Sequence, residues 1–303
     1  MRALLVVNPN ATTTSERSRS VLVRALRSEV TLDVAYTRAR GHATALATDA
    51  VAAGFGLVVA HGGDGTVNEV VNGLMAAPVT DRPALAVVPG GSTNVFARAL
   101  GLPADWGEAV GAILEALRDS RGRTVGLGLA DGRYFTFCAG LGIDAAVVRR
   151  VERARSHGRT SSPALYVRAT AGQLLVGANR STLTVDAPDA KDEAFAAVIV
   201  QNTAPWTYLW GRPVHLSPEA SFDRGLDVVA LRRARSPAVA RLLARMVVGR
   251  PVPRSRQLMC WQDLDQITVR STGPVPFQLD GEYLGEREEV RISASPSALR
   301  VLC

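Results

Sequence analysis

His61-Gly62-Gly63-Asp64-Gly65-Thr66-Val67-Asn68-Glu69 is the stretch whose reading decides the fold. The apolar run Leu57-Val58-Val59-Ala60 precedes it, and a helix-spaced segment over residues 66–76 follows it. A glycine-rich turn carries meaning in this setting, between a buried strand and a helix. Glycines admit positive φ and let backbone N–H groups approach an anion with no Cβ in the way. The helix starting near Thr66 would aim its unpaired N–H groups at the same anion. Asp64 offers a carboxylate through which magnesium could bridge protein and phosphate oxygens. A plain tight turn with Asp64 as helix cap is the alternative, and the grouping of Gly-Gly-Asp-Gly-Thr at a strand end favours the phosphate loop.

The same alternation extends to both sides. Residues 4–8 form an apolar run ending in Asn-Pro, residues 15–29 have helical spacing, and residues 31–37 alternate as a strand. Residues 41–53 are alanine-rich and helical, 84–88 are again apolar, and 94–100 open another helix. Buried parallel strands joined by helices are expected from this pattern. From about Arg123 the character changes to short strands punctuated by Gly, Pro and Asp, at 133–138, 181–185, 194–201, 226–231, 266–270, 276–279 and 289–293. Helical insertions are expected at 163–176 and 237–248. The predicted class is an N-terminal Rossmann-like α/β domain over residues 1–122 and a C-terminal β-sandwich domain with helical insertions over 123–295.

Composition narrows the function classes. The chain carries 35 basic and 28 acidic residues in 303, a net charge of +7. Lys191 is the only lysine, and it lies in the polar segment 189–193, read as a turn. Walker-A enzymes, protein kinases and pyridoxal enzymes each need a placed lysine, so these classes are largely excluded. Three scattered cysteines and four histidines without ligand spacing suggest neither a disulfide framework nor a zinc site, and the histidines read as surface or loop residues. No apolar stretch approaches the ~20 residues of a membrane span, and the N-terminal run is too short for a secretory leader. The cytoplasm is the expected address.

Pro89-Gly90-Gly91-Ser92-Thr93-Asn94 repeats the strand–loop–helix arrangement, and the first strand ends in Asn8-Pro9-Asn10-Ala11-Thr12. Three loops at strand C-termini describe a nucleotide crevice of an open α/β sheet. The ordered set Asn-Pro, GGDGTVNEV, PGGSTNVFARALG, GLGIDA and LDGE resembles the diacylglycerol kinase catalytic family, which includes soluble bacterial lipid kinases and the sphingosine and ceramide kinases. The resemblance covers essentially the whole chain. It implies an ATP-dependent lipid kinase with two domains and a cleft between them, residues 296–303 returning to the first domain.

By this resemblance ATP contacts fall on Asn8, Pro9, Asn10, Ala11 and Thr12, on Thr37, on Gly62, Gly63, Asp64, Gly65, Thr66, Asn68 and Glu69, and on Gly90, Gly91, Ser92, Thr93 and Asn94. Asp64 is the expected Mg2+ ligand, and Arg98 is placed near the acceptor. In Leu279-Asp280-Gly281-Glu282 two carboxylates flank a glycine across a tight turn. Phosphoryl transfer needs charge neutralisation and a positioned hydroxyl, whose proton a carboxylate can take. The resemblance implies Glu282 as the usual base candidate and Asp280 as its partner or a metal-side carboxylate, with the split of roles between the two acids open. Asp-Gly is also the commonest hairpin turn, which explains the pair with no catalysis at all.

The chain departs from the family pattern at Val95 and Gly126, where the family often has Asp, and at Arg224, which takes the position of an Asp in a structural magnesium site. That structural ion is therefore not expected. Trp206, Tyr208 and Trp210 cluster in one expected loop beside Arg212, suited either to a headgroup interface or to the core. The partners implied are a nucleotide and a lipid substrate, met peripherally at the inner face of the membrane, and no nucleic acid. A homodimer stays open. An NAD kinase shares the GGDG loop, and a pseudokinase that has lost acids at Val95, Gly126 and Arg224 is the non-catalytic alternative.

Overall fold

The computed structural model describes residues 1–12, 14–157, 162–176, 182–187, 190, 193–233, 237–248 and 255–303. Lys191 and most of its segment lie outside the described residues. The chain divides into a first unit, Met1–Leu127 with Pro296–Cys303, and a second unit, Gly128–Ser295.

The first unit alternates β1 (Arg2–Val7), α1 (Glu16–Arg27), β2 (Thr31–Tyr36), α2 (His42–Ala52), β3 (Leu57–Gly62), α3 (Asp64–Met75), β4 (Ala84–Pro89), α4 (Val95–Ala99), α5 (Trp106–Arg118) and β5 (Arg123–Ala130), which crosses into the second unit. Its sheet runs β4-β3-β1-β2 with every neighbour parallel. β3 is buried along its whole length, as a strand covered on both faces must be. Ser15 caps α1 and Asp105 caps α5, each accepting backbone N–H bonds in the first turn. Leu22 and Leu26 of α1 and Ile113 and Ala116 of α5 pack on one face of the sheet, with Leu5, Leu57 and Ala86 from the strands. The helix α5 is an addition to the sequence reading, although Val110, Ile113, Leu114 and Leu117 carry the 3.6-residue period.

The second unit contains β6 (Arg133–Phe135), β7 (Cys138–Gly142), α6 (Ile143–Ser156), α7 (Pro163–Val176), β8 (Leu183–Asp186), β9 (Ala197–Gln201), β10 (Thr207–Leu209), β11 (Arg212–Val214), β12 (Leu226–Leu231), α8 (Pro237–Val247), β13 (Leu258–Leu264), β14 (Gln266–Leu279) and β15 (Glu282–Val301), whose end belongs to the first unit. The order β13-β12-β9-β7-β14-β15 is antiparallel throughout, and β8 pairs the first part of β14. Phe135, Phe195, Phe277 and Trp261 fill its core. The expected strands 266–270 and 276–279 are one strand, irregular in register between Arg270 and Val275 where Gly273-Pro274 interrupts the ladder. The helix α6, absent from the sequence reading, begins where Gly142 takes φ +80.

Two further readings are corrected. Trp206–Trp210 is not a plain loop: β10 and β11 form a hairpin whose two-residue turn is Trp210-Gly211, both at positive φ. Tyr208 is buried, while Trp210 at the tip is 53% exposed. His61 is not a surface residue but is fully buried near the end of β3, its Nδ1 by Val88 O and its Nε2 by Thr14 Oγ1. Burial chiefly lowers its pKa and keeps the ring neutral.

Candidate active site

In the first unit the ends of β1, β3 and β4 bring together loops that are far apart in sequence. Asn8 Nδ2 donates to Thr66 Oγ1 at 2.9 Å, and Asn8 Oδ1 accepts from Asn10 N at 3.0 Å. The two glycine loops lie back to back. A Cβ on Gly90 would stand 2.9 Å from Gly62 Cα, and one on Gly91 would stand 2.7 Å from Gly63 Cα. Only glycine permits this approach, because the opposing atoms are backbone. Gly90 N donates to Gly62 O at 2.8 Å across the seam.

Asp64 opens α3. Its Oδ2 accepts from Thr93 Oγ1 at 3.0 Å and its Oδ1 from Phe96 N at 3.3 Å, so the second loop orients the carboxylate of the first. Asn94, at φ 48, closes its loop by exchanging two 2.8 Å hydrogen bonds with Gly91. Unlike α1 and α5, α3 has no capping side chain, since its N-cap is Gly63. The N-cap therefore offers no side-chain acceptor to the first turn, and exposed Gly65 leaves the approach open.

The remaining expected contacts divide. Pro9, Asn10, Thr12 and Ser92 are exposed, and Ala11, Thr37 and Arg98 are partly exposed. Asn68 is fully buried and accepts from the Asn72 amide. Glu69 turns away from the loops: its two oxygens accept from Gly41 N and Ala43 N, capping α2. Among the described residues no three or more His, Cys, Asp or Glu side chains converge as a metal site.

In the second unit Asp280 and Gly281 form the two-residue turn joining β14 to β15, at φ 48 and φ +77. The plain hairpin reading thus holds for the backbone. Asp280 is only 5% exposed. Its Oδ2 accepts from Thr136 N and Thr136 Oγ1 at 2.7 and 2.8 Å, and its Oδ1 from Phe137 N and Cys138 N at 3.0 and 3.1 Å. Burial pushes this carboxyl up from its ordinary range, and the donors of residues 136–138 pull it back. Glu282, 13% exposed in its side chain, is ion-paired with Arg133 of β6 at 2.5 Å. Arg133, 149 residues away in sequence, has no motif signal, and sequence reasoning missed it.

Around the family's structural-magnesium segment, Arg224 pairs with Asp263 at 3.6 Å, and Gly225 N donates to the other oxygen of Asp263. Buried Asp227 accepts from Ser217 Oγ and from Asp263 N. These acids are engaged by protein donors and, at Asp263, by the Arg224 guanidinium.

The model of the diacylglycerol kinase catalytic domain matches residues 2–128, and that of the YegS C-terminal NAD kinase beta sandwich-like domain matches residues 138–303. A diacylglycerol kinase of Bacillus subtilis is 30% identical over 82% of this chain and 78% of its own length. The chain belongs to the diacylglycerol kinase family. Members of this family are phosphotransferases with an alcohol group as acceptor. A probable lipid kinase, YegS-like, of Pseudomonas aeruginosa is 31% identical over 89% of this chain and 84% of its own. A putative diacylglycerol kinase of Bacillus anthracis superposes with a TM-score of 0.77 at 22% identity, over 99% of this chain and 96% of that one. The family fold is therefore an α/β first part and a β-sandwich second part, as the two units display. Among the described residues no helix is long and apolar enough to cross a membrane.

Proposed function

We propose that this family member transfers the γ-phosphate of ATP to the hydroxyl of a lipid alcohol, diacylglycerol being the family default. The observation that carries the reading is the uncapped start of α3 at the seam of two glycine loops. It offers backbone N–H groups and a helix dipole to a phosphate chain, with Asp64 oriented beside them. The nucleotide then belongs to residues 1–122 with 296–303, along the loops of Asn8, Gly63 and Ser92, and the lipid to residues 123–295. Thr37 and Arg98 complete the nucleotide and acceptor sides, while Glu69 acts on the site through α2.

Partly exposed at the bare helix end, Asp64 fits as the protein ligand of a magnesium ion carried by ATP, the oxygen chemistry that ion takes. Such an ion supplies charge neutralisation on the phosphate oxygens. Glu282 takes the proton of the attacking hydroxyl, held in place by Arg133, and Asp280 fastens the turn that presents it. Trp210, at its hairpin tip next to exposed Arg212, is the amphipathic anchor for peripheral contact with an anionic bilayer.

The Gly90→Ala variant is expected to lose about 10–100-fold in kcat/KM for ATP, because a Cβ there meets backbone that cannot step aside. Steady-state kinetics gives kcat/KM and calorimetric titration the ATP affinity, and both unchanged from the wild type would remove the seam from the nucleotide site.

The second matched domain carries NAD kinase in its description, so the acceptor is tested directly. Purified protein with magnesium and γ-labelled ATP is offered vesicle-borne diacylglycerol, other lipid alcohols and NAD in parallel. Label is expected in a lipid, and Trp210→Ser should lower transfer to vesicle-borne acceptor while sparing a short-chain, water-soluble one. Label in NADP alone would replace the lipid reading.

A further inference from the structure

Gln278 is 1% exposed within β14, two residues before Asp280. Its Oε1 accepts from Gly281 N at 2.8 Å, inside the turn that leads to Glu282. On the other side its Nε2 donates to Asp144 Oδ2 at 2.9 Å and approaches Cys138 Sγ at 3.6 Å. Asp144 stands in the first turn of α6 and lies against Gly140, where any Cβ would overlap its carboxylate. Three hydrogen-bonding groups thus form a line from a carboxylate to a turn N–H: Asp144, the Gln278 amide and Gly281.

We propose that Gln278 is a positioning residue for the Asp280–Glu282 turn and that Asp144 sets the orientation of its amide. The catalytic half of this proposal rests on Glu282 as the base.

A side-chain amide has a donor end and an acceptor end, so what one end binds dictates what the other presents. Ionised Asp144 only accepts, which holds Nε2 toward it and leaves Oε1 for Gly281 N. Protonation adds an O–H to Asp144, which then no longer compels Nε2 toward it, and in the state where that O–H donates to Gln278 the amide is turned over. The NH2 group then opposes Gly281 N–H, donor against donor, at a partly buried turn. Burial pushes the Asp144 carboxyl up to about 6, against the Gln278 hydrogen bond, so the exchange falls just below neutral pH. The groups facing Asp144 are the Gln278 amide from β14 and Gly140 from β7, and the Cys138 thiol lies on the far side of that amide nitrogen. Further along α6, Arg149 pairs with Glu286, and Glu152 accepts from Tyr283 N. Gly281 is where this line matters, because Asp280 is fixed by residues 136–138 and Glu282 by Arg133, and Gly281 N–H fixes the peptide between them.

The test follows the Gly281 amide of the ¹⁵N-labelled full chain between pH 5 and 8, in the wild type and in Asp144→Asn. Asn keeps an acceptor for Gln278 but takes up no proton. The wild-type resonance is expected to titrate with a midpoint near 6, and that of the variant to stay flat. In parallel, the ratio of wild-type to Asp144→Asn kcat should fall at least threefold from pH 8 to pH 5.5. Gln278→Leu should lower kcat about tenfold with KM for ATP unchanged. A Gly281 amide that behaves alike in both proteins overturns the relay. A titrating amide with a pH-independent kcat ratio overturns the positioning role. Should no acceptor be phosphorylated at all, the amide titration still decides the relay, and the loss falls on the lipid kinase reading instead.

Discussion

Glu282→Gln is expected to lower kcat by about 10²–10⁴-fold, the usual contribution of a placed general base, with ATP binding unchanged. Gln matches the shape of Glu and keeps an oxygen toward the Arg133 guanidinium, so the hairpin should stay in register. What it removes is the capacity to accept a proton from the attacking hydroxyl. Its effect should therefore appear in kcat, not in KM for ATP, as expected for an interaction made in the transition state. Steady-state kinetics beside calorimetric ATP titration measures both. Transfer retained above a tenth of the wild-type rate would show that another group takes the proton.

Asp280→Asn should behave differently, although the two acids are two residues apart. Asn tolerates the left-handed conformation Asp280 adopts at φ 48, so the turn itself is not strained. The carboxylate, however, receives four donors, two on each oxygen. An amide turns its NH2 group toward one pair of them, leaving buried N–H or O–H donors facing a donor. Hydrogen bonds to a buried charge contribute most per bond, and breaking such an arrangement costs about 3 kcal/mol or more. For a unit of this size that corresponds to a fall in Tm of roughly 6–12 °C. Differential scanning calorimetry checks the prediction. A variant that melts with the wild type but has lost activity would return Asp280 to the chemistry.

Legibility followed sequence separation. The phosphate loops could be read because strand, glycines and helix start are contiguous, and the only long-range fact they need is that parallel strands end on the same side. The opposed Gly62–Gly90 and Gly63–Gly91 contacts are a consequence of β3 pairing with β4, invisible until the register is known. The partners of the LDGE turn were not legible at all: Thr136 and Arg133 are 144 and 149 residues from the acids they hold. Asp144, within the Gly-Leu-Gly-Ile-Asp motif, is set apart only by its contact with Gln278, 134 residues away in sequence. The helix α6 did carry a signal, with Ile143, Val147, Val148 and Val151 on one buried face.

The first unit is closed by residues from far downstream: Val301 pairs with Leu85 of β4, Leu302 N donates to Leu85 O, Leu302 joins the core under β1 and β3, and Ala298 O accepts from Arg82. As the ribosome extends the chain, β4 has strand β3 on one side and open backbone on the other until residue 301 has been synthesised. The nucleotide half thus emerges early but is finished late, and the nascent protein carries an unguarded sheet edge throughout the synthesis of residues 128–295. Chaperone demand during translation should accordingly fall only once those closing residues leave the exit tunnel.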